Sequence, residues 1–483
     1  MIRKRPEGKD SFRSFIISGK WVNLVPAVLS IVLLIRVRDM LIRPLWFDEA
    51  LTVLNFALLE TPAKIYNSYI IPNNQIIHTI LLHWWIKLSN LDFLRFLPLL
   101  CGIATLVLLW QMRRKSSNVA LYTVLFCLAA SFSFGIYATA LRGYIFSCAM
   151  TAGGVWVVSH YLENGKKRFL AGWFIFSLLG VGTIPGTLAG LAAALLYAVG
   201  NCRWEIFKKW RLYLAGLMPI AAFAIFYLPI KEQLLRCAAL GEGWNNGTMM
   251  LLALAMGIIF TFLPVLLPAL AGQIRKHRLT PKIFHLAIWL LPVPAAYIFK
   301  VAPFPRVFLP VFPIFALLLA NGVKNFYALI RKKKGRKYLE FVFVAIGIFI
   351  CLWSGVCSFE KFRQRIETLH PAPGGQPDFI DCHFVRKDFS PRVTAGEFKM
   401  RFPELPVVYV SFASDPWALM CAFMEQGIKT RIVFDGPAGK VSNTPLVAIK
   451  HFNENTADLE QRFQCKFNEV FTTDNHTFLV LAK

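Results

Sequence analysis

The chain reads as a succession of long apolar runs separated by short basic turns. Windows of about 18 to 22 residues without a charge recur, the length a helix needs to cross about 30 Å of hydrocarbon. Strand-type alternation is missing from them, so helices span and no barrel does. Expected centres are Leu29, Ile103, Val124, Gly153, Leu178, Leu191, Gly216, Ile258, Leu290, Ile314 and Ile346, which makes about eleven spans. Between Gly180 and Pro185 the pattern fits either a clean exit or a broken helix.

Two stretches depart from this rhythm. Residues 36–92 form a long first outer loop that is only intermittently polar, and from Asn74 onward it reads as an amphipathic helix. Ile76, Ile77, Ile80, Leu81, Trp84, Trp85 and Leu88 share its apolar face, and Asn74 and His78, four apart, share the other. Such a helix lies along a membrane surface with its tryptophans at headgroup level. Beyond Phe359 the polarity becomes ordinary. Pro406–Val410 reads as a buried strand, Trp417–Gln426 as a helix stopped by Gly427, and Thr430–Phe434 as a second strand. The predicted architecture is therefore an α-helical polytopic membrane domain followed by a small C-terminal α/β domain.

Composition agrees with that division. Fifty-six per cent hydrophobic residues and a mean hydropathy of +0.52 exceed what a soluble globular chain carries. The net charge of +26 would suggest nucleic acid in a soluble protein, but its distribution removes that reading. Basic clusters at Arg3-Lys4-Arg5, Arg113-Arg114-Lys115, Lys166-Lys167-Arg168, Lys208-Lys209 with Arg211, Arg275-Lys276 with Arg278, and Arg331 through Lys337 recur at every second turn. That is the positive-inside signature.

It assigns residues 1–20 to a cytoplasmic tail, 21–358 to the membrane domain and 359–483 to an extracytoplasmic domain with a structural or acceptor-docking role. A bacterial inner membrane is the expected location. The basic start lacks a convincing small-residue cleavage site, so the first segment is expected to remain as an anchor. Ten cysteines form no CxxC pair and no Cys/His ligand set, which leaves them to packing. No internal repeat supports a transporter built from duplicated halves. Asn246 and Asn475 begin Asn-x-Thr triplets on the predicted outer side.

Candidate chemistry concentrates on that outer side. Asp48-Glu49, between Trp46-Phe47 and Ala50-Leu51, is an acidic pair at a membrane boundary. Carboxylates at a helix start interact favourably with its N-terminus, while ionisable residues at membrane edges are enriched in function. Arg142 and Arg306 share the predicted side. Either guanidinium could snorkel to headgroups or bind phosphate bidentately, and the prolines around Arg306 favour a fixed side chain. His78 and His83 are five apart and face different ways, so they make no two-His clamp.

Five segments in order, "LWFDEA", "IPNNQIIHTILLHWWIKL", "FLRFLPLL", "YATALRGY" and "PFPRVFLPVFPIFALLLANG", resemble the polyprenyl-phosphate-sugar glycosyltransferases of the C-type membrane fold. Nearest in pattern is the protein mannosyltransferase and lipid A aminoarabinose transferase group. The resemblance spans residues 21–322 and implies an inverting transfer of a sugar from a polyprenyl-phosphate donor to a hydroxyl of a lipid, glycan or protein.

By this likeness Asp48 and Glu49 are the catalytic pair, and Arg142 and Arg306 contact the donor phosphate. Asn73, Asn74 and His78, with Tyr137 and Tyr144 around Arg142, are the expected substrate contacts. Gln75 and Val307 stand where relatives often have His and Tyr. No cofactor is demanded, although Asp48 and Glu49 beside a phosphate are ligands of the type Mg²⁺ or Mn²⁺ takes. The rival readings are a transporter or flippase of lipid-linked sugars and a non-catalytic membrane assembly protein.

Overall fold

The computed structural model describes residues 23–71, 74–89, 91, 93–114, 118–202, 204–240, 247–274, 279–298, 305–331, 390–436, 439–473 and 476–482. Its membrane part is helical: α1 (Val25–Leu41), α2 (Phe47–Thr52), α3 (Ile76–Ser89), α4 (Phe96–Trp110), α5 (Asn118–Ala130), α6 (Phe132–Thr139), α7 (Tyr144–Asn164), α8 (Lys167–Thr183), α9 (Thr187–Gly200), α10 (Trp210–Tyr227), α11 (Gly247–Ile274), α12 (Leu279–Leu290) and α13 (Phe312–Arg331). Helices cover every expected centre from Leu29 to Ile314, and Ile346 lies outside the described residues. The chain turns cleanly between α8 and α9.

Among the described residues, five stretches are long and apolar enough to cross a membrane unaided: 96–113, 144–164, 210–239, 250–273 and 305–328. The α5–α6 pair, bent by 63°, makes a sixth if it counts as one span. These are fewer than the expected eleven because several apolar helices are short. α1 and α8 have 17 residues, α9 has 14 and α12 has 12, and even 17 residues of helix cover only about 25 Å. The apolar helices and the fold make this an integral membrane protein.

The bend between α5 and α6 has a local cause. Arg36 on α1 donates from Nε to the Ala130 carbonyl at 2.6 Å and lays its guanidinium over the Phe132 ring. Ser131 accepts from the Phe134 amide and so caps the new helix. The chain restarts in another direction, which carries Thr139, Leu141 and Arg142 toward the first outer loop.

At the centre, α7 and α13 are enclosed on most sides. Small residues permit close approach of α11 to α13: a methyl group on Gly322 or Gly272 would enter the space of the backbone opposite, Ala269 in one case and Gly322 in the other. Gly322→Ala should therefore destabilise the protein by about 1–3 kcal/mol through overpacking, read as a lower melting temperature of the detergent-solubilised protein.

Helix α3 is amphipathic as expected. Ile76, His78, Thr79, Leu82 and His83 are buried, whereas Trp84 and Leu88 are exposed. The polar residues thus face the protein together with Ile76 and Leu82, so Ile76 departs from the expected exposed apolar face.

The C-terminal part is a five-stranded mixed sheet of order β2-β1-β3-β5-β4, with β1 (Val407–Val410), β2 (Arg431–Val433), β3 (Val447–His451), β4 (Phe467–Thr472) and β5 (His476–Leu481). β1 runs parallel to β2 and β3, while β5 is antiparallel to β3 and β4. Side chains alternate between faces. Val408, Val410 and Ile449 meet α14 (Pro391–Arg401) and α15 (Pro416–Glu425) on one face. Tyr409, Ala448 and Leu479 meet α16 (Thr456–Phe463) on the other. The two expected strands and the helix between them are present. The expected domain boundary near Phe359 lies outside the described residues.

Candidate active site

The site grows from the start of α2. Trp46 is extended, and at Phe47 the chain turns helical, which puts Asp48 and Glu49 in the first turn. Helical rotation separates adjacent side chains by about 100°, and the two carboxylates have different surroundings.

Glu49 is buried. Its Oε1 accepts from Arg95 Nη1 at 2.8 Å and the Leu141 amide at 2.9 Å. Its Oε2 accepts from Arg95 Nη2 at 2.8 Å and the Trp46 amide at 3.2 Å. A carboxylate offers about four acceptor positions, and here four N–H donors fill them. Arg95 is equally committed, donating to Thr139 O at 2.7 Å, Pro44 O at 2.8 Å and Arg43 O at 3.3 Å. This bidentate pair ties the end of α1, the start of α2, the entry to α4 and the 139–141 turn together. Glu49, expected beside Asp48 in the chemistry, is therefore placed behind it as framework.

Asp48 sits on the open side of the same turn with 16% of its side chain exposed. Arg306 Nη2 stands 4.0 Å from its Oδ2. Arg306 belongs to a tight 3-10 turn, Pro305–Val311, whose prolines at both ends restrict φ, and it is buried. Arg142 approaches from the opposite element. Its Nη1 donates to Thr52 Oγ1 at 3.4 Å, and Thr52 Oγ1 donates to the Asp48 carbonyl at 2.7 Å. Past Thr52 the helix widens into a π turn, Val53–Ala57, a distortion frequent at functional sites.

The other expected contacts divide. His78 is fully buried, and neither ring nitrogen has a hydrogen-bond partner among the described residues. Burial, with the Arg142 charge second, pushes its imidazolium down to about 3, so the ring is neutral at physiological pH. Gln75 beside it accepts from the Gly143 amide through Oε1. Glycine is required at that point, because a Cβ on Gly143 would collide with Thr183 and His78. Tyr144 follows with its ring centroid 5.8 Å from the Arg142 guanidinium carbon.

Asn74, expected to meet substrate, instead donates to Ile65 O at 2.8 Å and Ser68 O at 3.1 Å, holding the loop before α3. Tyr137 is buried in the membrane core. Asn73 lies outside the described residues.

With Glu49 saturated and Arg306 beside Asp48, the Asp48–Glu49 pair does not fit a protein-held Mg²⁺ or Mn²⁺. Among the described residues no group of three or more His, Cys, Asp or Glu comes together.

Sequence reasoning passed over two residues. Arg95 is visible in "FLRFLPLL" as a cation entering an apolar helix, a position that calls for a partner. Trp417, read only as the start of a helix, packs against Phe47 of the membrane part, and nothing local in the sequence shows that contact.

The overall architecture is shared with two solved structures of ArnT from Cupriavidus metallidurans, one in the apo state and one bound to undecaprenyl phosphate. They are 12% and 13% identical to this chain, each with a TM-score of 0.55, and cover 96% and 95% of it and 98% of their own lengths. This establishes the fold that the motifs suggested. No family model matches the chain, and no curated protein does.

Proposed function

We propose that the protein is an inverting membrane glycosyltransferase, moving a sugar from a polyprenyl-phosphate donor to a hydroxyl acceptor at the outer face. The observation that carries this reading is Asp48, partly open to solvent, with the buried Arg306 guanidinium beside it and Arg142 linked to its own helix. The ArnT structure bound to undecaprenyl phosphate adds a lipid of the required class to a chain of the same fold.

Asp48 acts as general base. It takes the proton of the acceptor hydroxyl as that oxygen attacks the anomeric carbon. The bond from that carbon to the phosphate oxygen breaks, and polyprenyl phosphate leaves with the electron pair. Attack opposite the leaving group inverts configuration in one displacement.

Arg306 and Arg142 stabilise the charge that grows on the phosphate, in a site where burial strengthens the interaction. Glu49 and Arg95 hold the helix on which Asp48 rides. The outer-face orientation rests on the basic loops lying opposite this site.

Purified protein incubated with a panel of undecaprenyl-phosphate sugars and hydroxyl acceptors should consume one donor and form a glycosylated product, detected by mass spectrometry. If all plausible donors survive intact, the transferase reading is wrong. With the donor found, Arg306→Ala should lower turnover about 10²–10³-fold, the usual loss when a group stabilising developing charge is removed.

A further inference from the structure

Arg306 is carried by the backbone of its turn, so whatever grips that turn sets where the guanidinium stands. The turn, Pro305–Val311, is seven residues long and mostly buried. In 3-10 geometry residues three apart eclipse, which stacks Leu309 on the same side of the turn as Arg306. Leu309 also lies where the chain enters α13. The amide that would bond its carbonyl in an α-helix belongs to Pro313, which has no N–H. A buried carbonyl needs a donor, and the thiol of Cys148 on α7 supplies one, with Sγ 3.0 Å from Leu309 O.

The next carbonyl meets α9. A Cβ on Gly190 would collide with the Pro310 carbonyl oxygen and stand 2.9 Å from its carbon and 2.7 Å from Thr151 Oγ1. The threonine can rotate away, but the carbonyl carbon is main chain and moves only with the turn. At the other end of the turn a Cβ on Gly257 of α11 would come within 3.3 Å of the Pro305 Cβ. Retreat from α9 is therefore opposed by α11. By contrast a Cβ on Gly186, one helical turn before Gly190, would meet nothing closer than 3.8 Å.

We propose that Gly190 and Cys148 are positioning residues for Arg306: the glycine lets α9 close on the Pro310 carbonyl, the thiol holds the Leu309 carbonyl, and together they keep the guanidinium beside Asp48. This rests on the reading of Arg306 as a contact of the donor phosphate. Both residues act through the main chain of the turn and neither touches substrate. Such support matters because a charged contact works only when held to within about 0.5 Å of its productive geometry.

The test uses the full-length protein in detergent with undecaprenyl phosphate as the titrated probe. Gly190→Ala should weaken binding about tenfold, because a displaced guanidinium loses its paired contact with the phosphate. In an Arg306→Ala background the same substitution should change binding less than about twofold, since the contact through which it acts is already gone. Gly186→Ala, on the same face of the helix start, should match wild type. Cys148→Ala should weaken binding about fivefold, and Cys148→Ser, which keeps a donor, should stay within about twofold of wild type. Hydrogen–deuterium exchange at residues 306–311 should rise about tenfold in Gly190→Ala, with residues 447–451 unchanged.

Unchanged binding in Gly190→Ala overturns the proposal. So does a loss equally large in the Arg306→Ala background, because the glycine then acts elsewhere in the fold. A serine variant as weak as the alanine variant at position 148 does the same. Should Gly190→Ala fail to fold, the two Cys148 variants crossed with Arg306→Ala decide in its place. A wild-type protein that binds no undecaprenyl phosphate instead defeats the reading of Arg306, and exchange at 306–311 still decides whether Gly190 holds the turn.

Discussion

Replacing Asp48 by Asn should lower sugar transfer about 10²–10⁴-fold, the range supplied by a positioned general base. An amide of the same shape cannot take the acceptor proton. The substitution spares the hydrogen bonds that Glu49 and the Asp48 carbonyl, with its Thr52 partner, contribute to this turn. Undecaprenyl phosphate should bind the variant as well as wild type or better, since a negative charge near the phosphate is gone and Arg306 is released from it. The split between turnover and binding is what identifies a base. Should Asp48→Asn transfer as fast as wild type, another group performs the chemistry.

Arg95→Ala or Glu49→Ala should instead disable the protein by destabilising it. The pair is almost wholly removed from solvent, and removing one partner of a buried ion pair typically costs about 3–5 kcal/mol because the other charge is left uncompensated. The double replacement offers less relief here than it does for isolated pairs. The amides of Trp46 and Leu141 and the carbonyls of Pro44 and Thr139 take their partners from these two side chains. A double variant leaves them unsatisfied, at about 1–3 kcal/mol each. Arg95→Lys should also fail, because an ammonium cannot reproduce the bidentate fork. Melting temperatures of the detergent-solubilised variants check this ranking. Unchanged melting of Arg95→Ala would remove the pair from the framework.

Much of this architecture could be read from local pattern. Charge-free windows marked the helices from Leu29 to Ile314, period 3.6 found the surface helix Ile76–Ser89, and short β-rich runs bounded by turn residues found β1 and β2. Those signals are local because each depends on which side of a single element faces lipid, water or core.

What escaped reading depends on pairing between elements far apart in the chain. Asp48 and Glu49 look equivalent in sequence, and only the arrival of Arg95, 46 residues later, separates a framework carboxylate from an open one. Asn74 was grouped with His78 because both lie on one helical face. In the structure one secures a loop and the other stays buried without a hydrogen-bond partner among the described residues. The shortness of α9 and α12 was hidden too, since apolar windows do not show where a backbone turns.

The meeting of Phe47 with the 411–417 loop also orders events during synthesis. Arg392 of the C-terminal domain donates to the Ile42 carbonyl across 350 residues of chain, so contacts of the highest sequence separation finish the surroundings of Asp48. Such contacts form late, after the intervening segments have been made and inserted. Early in its production the protein therefore holds its acidic turn without the aromatic cover that Phe412 and Trp417 later give Phe47.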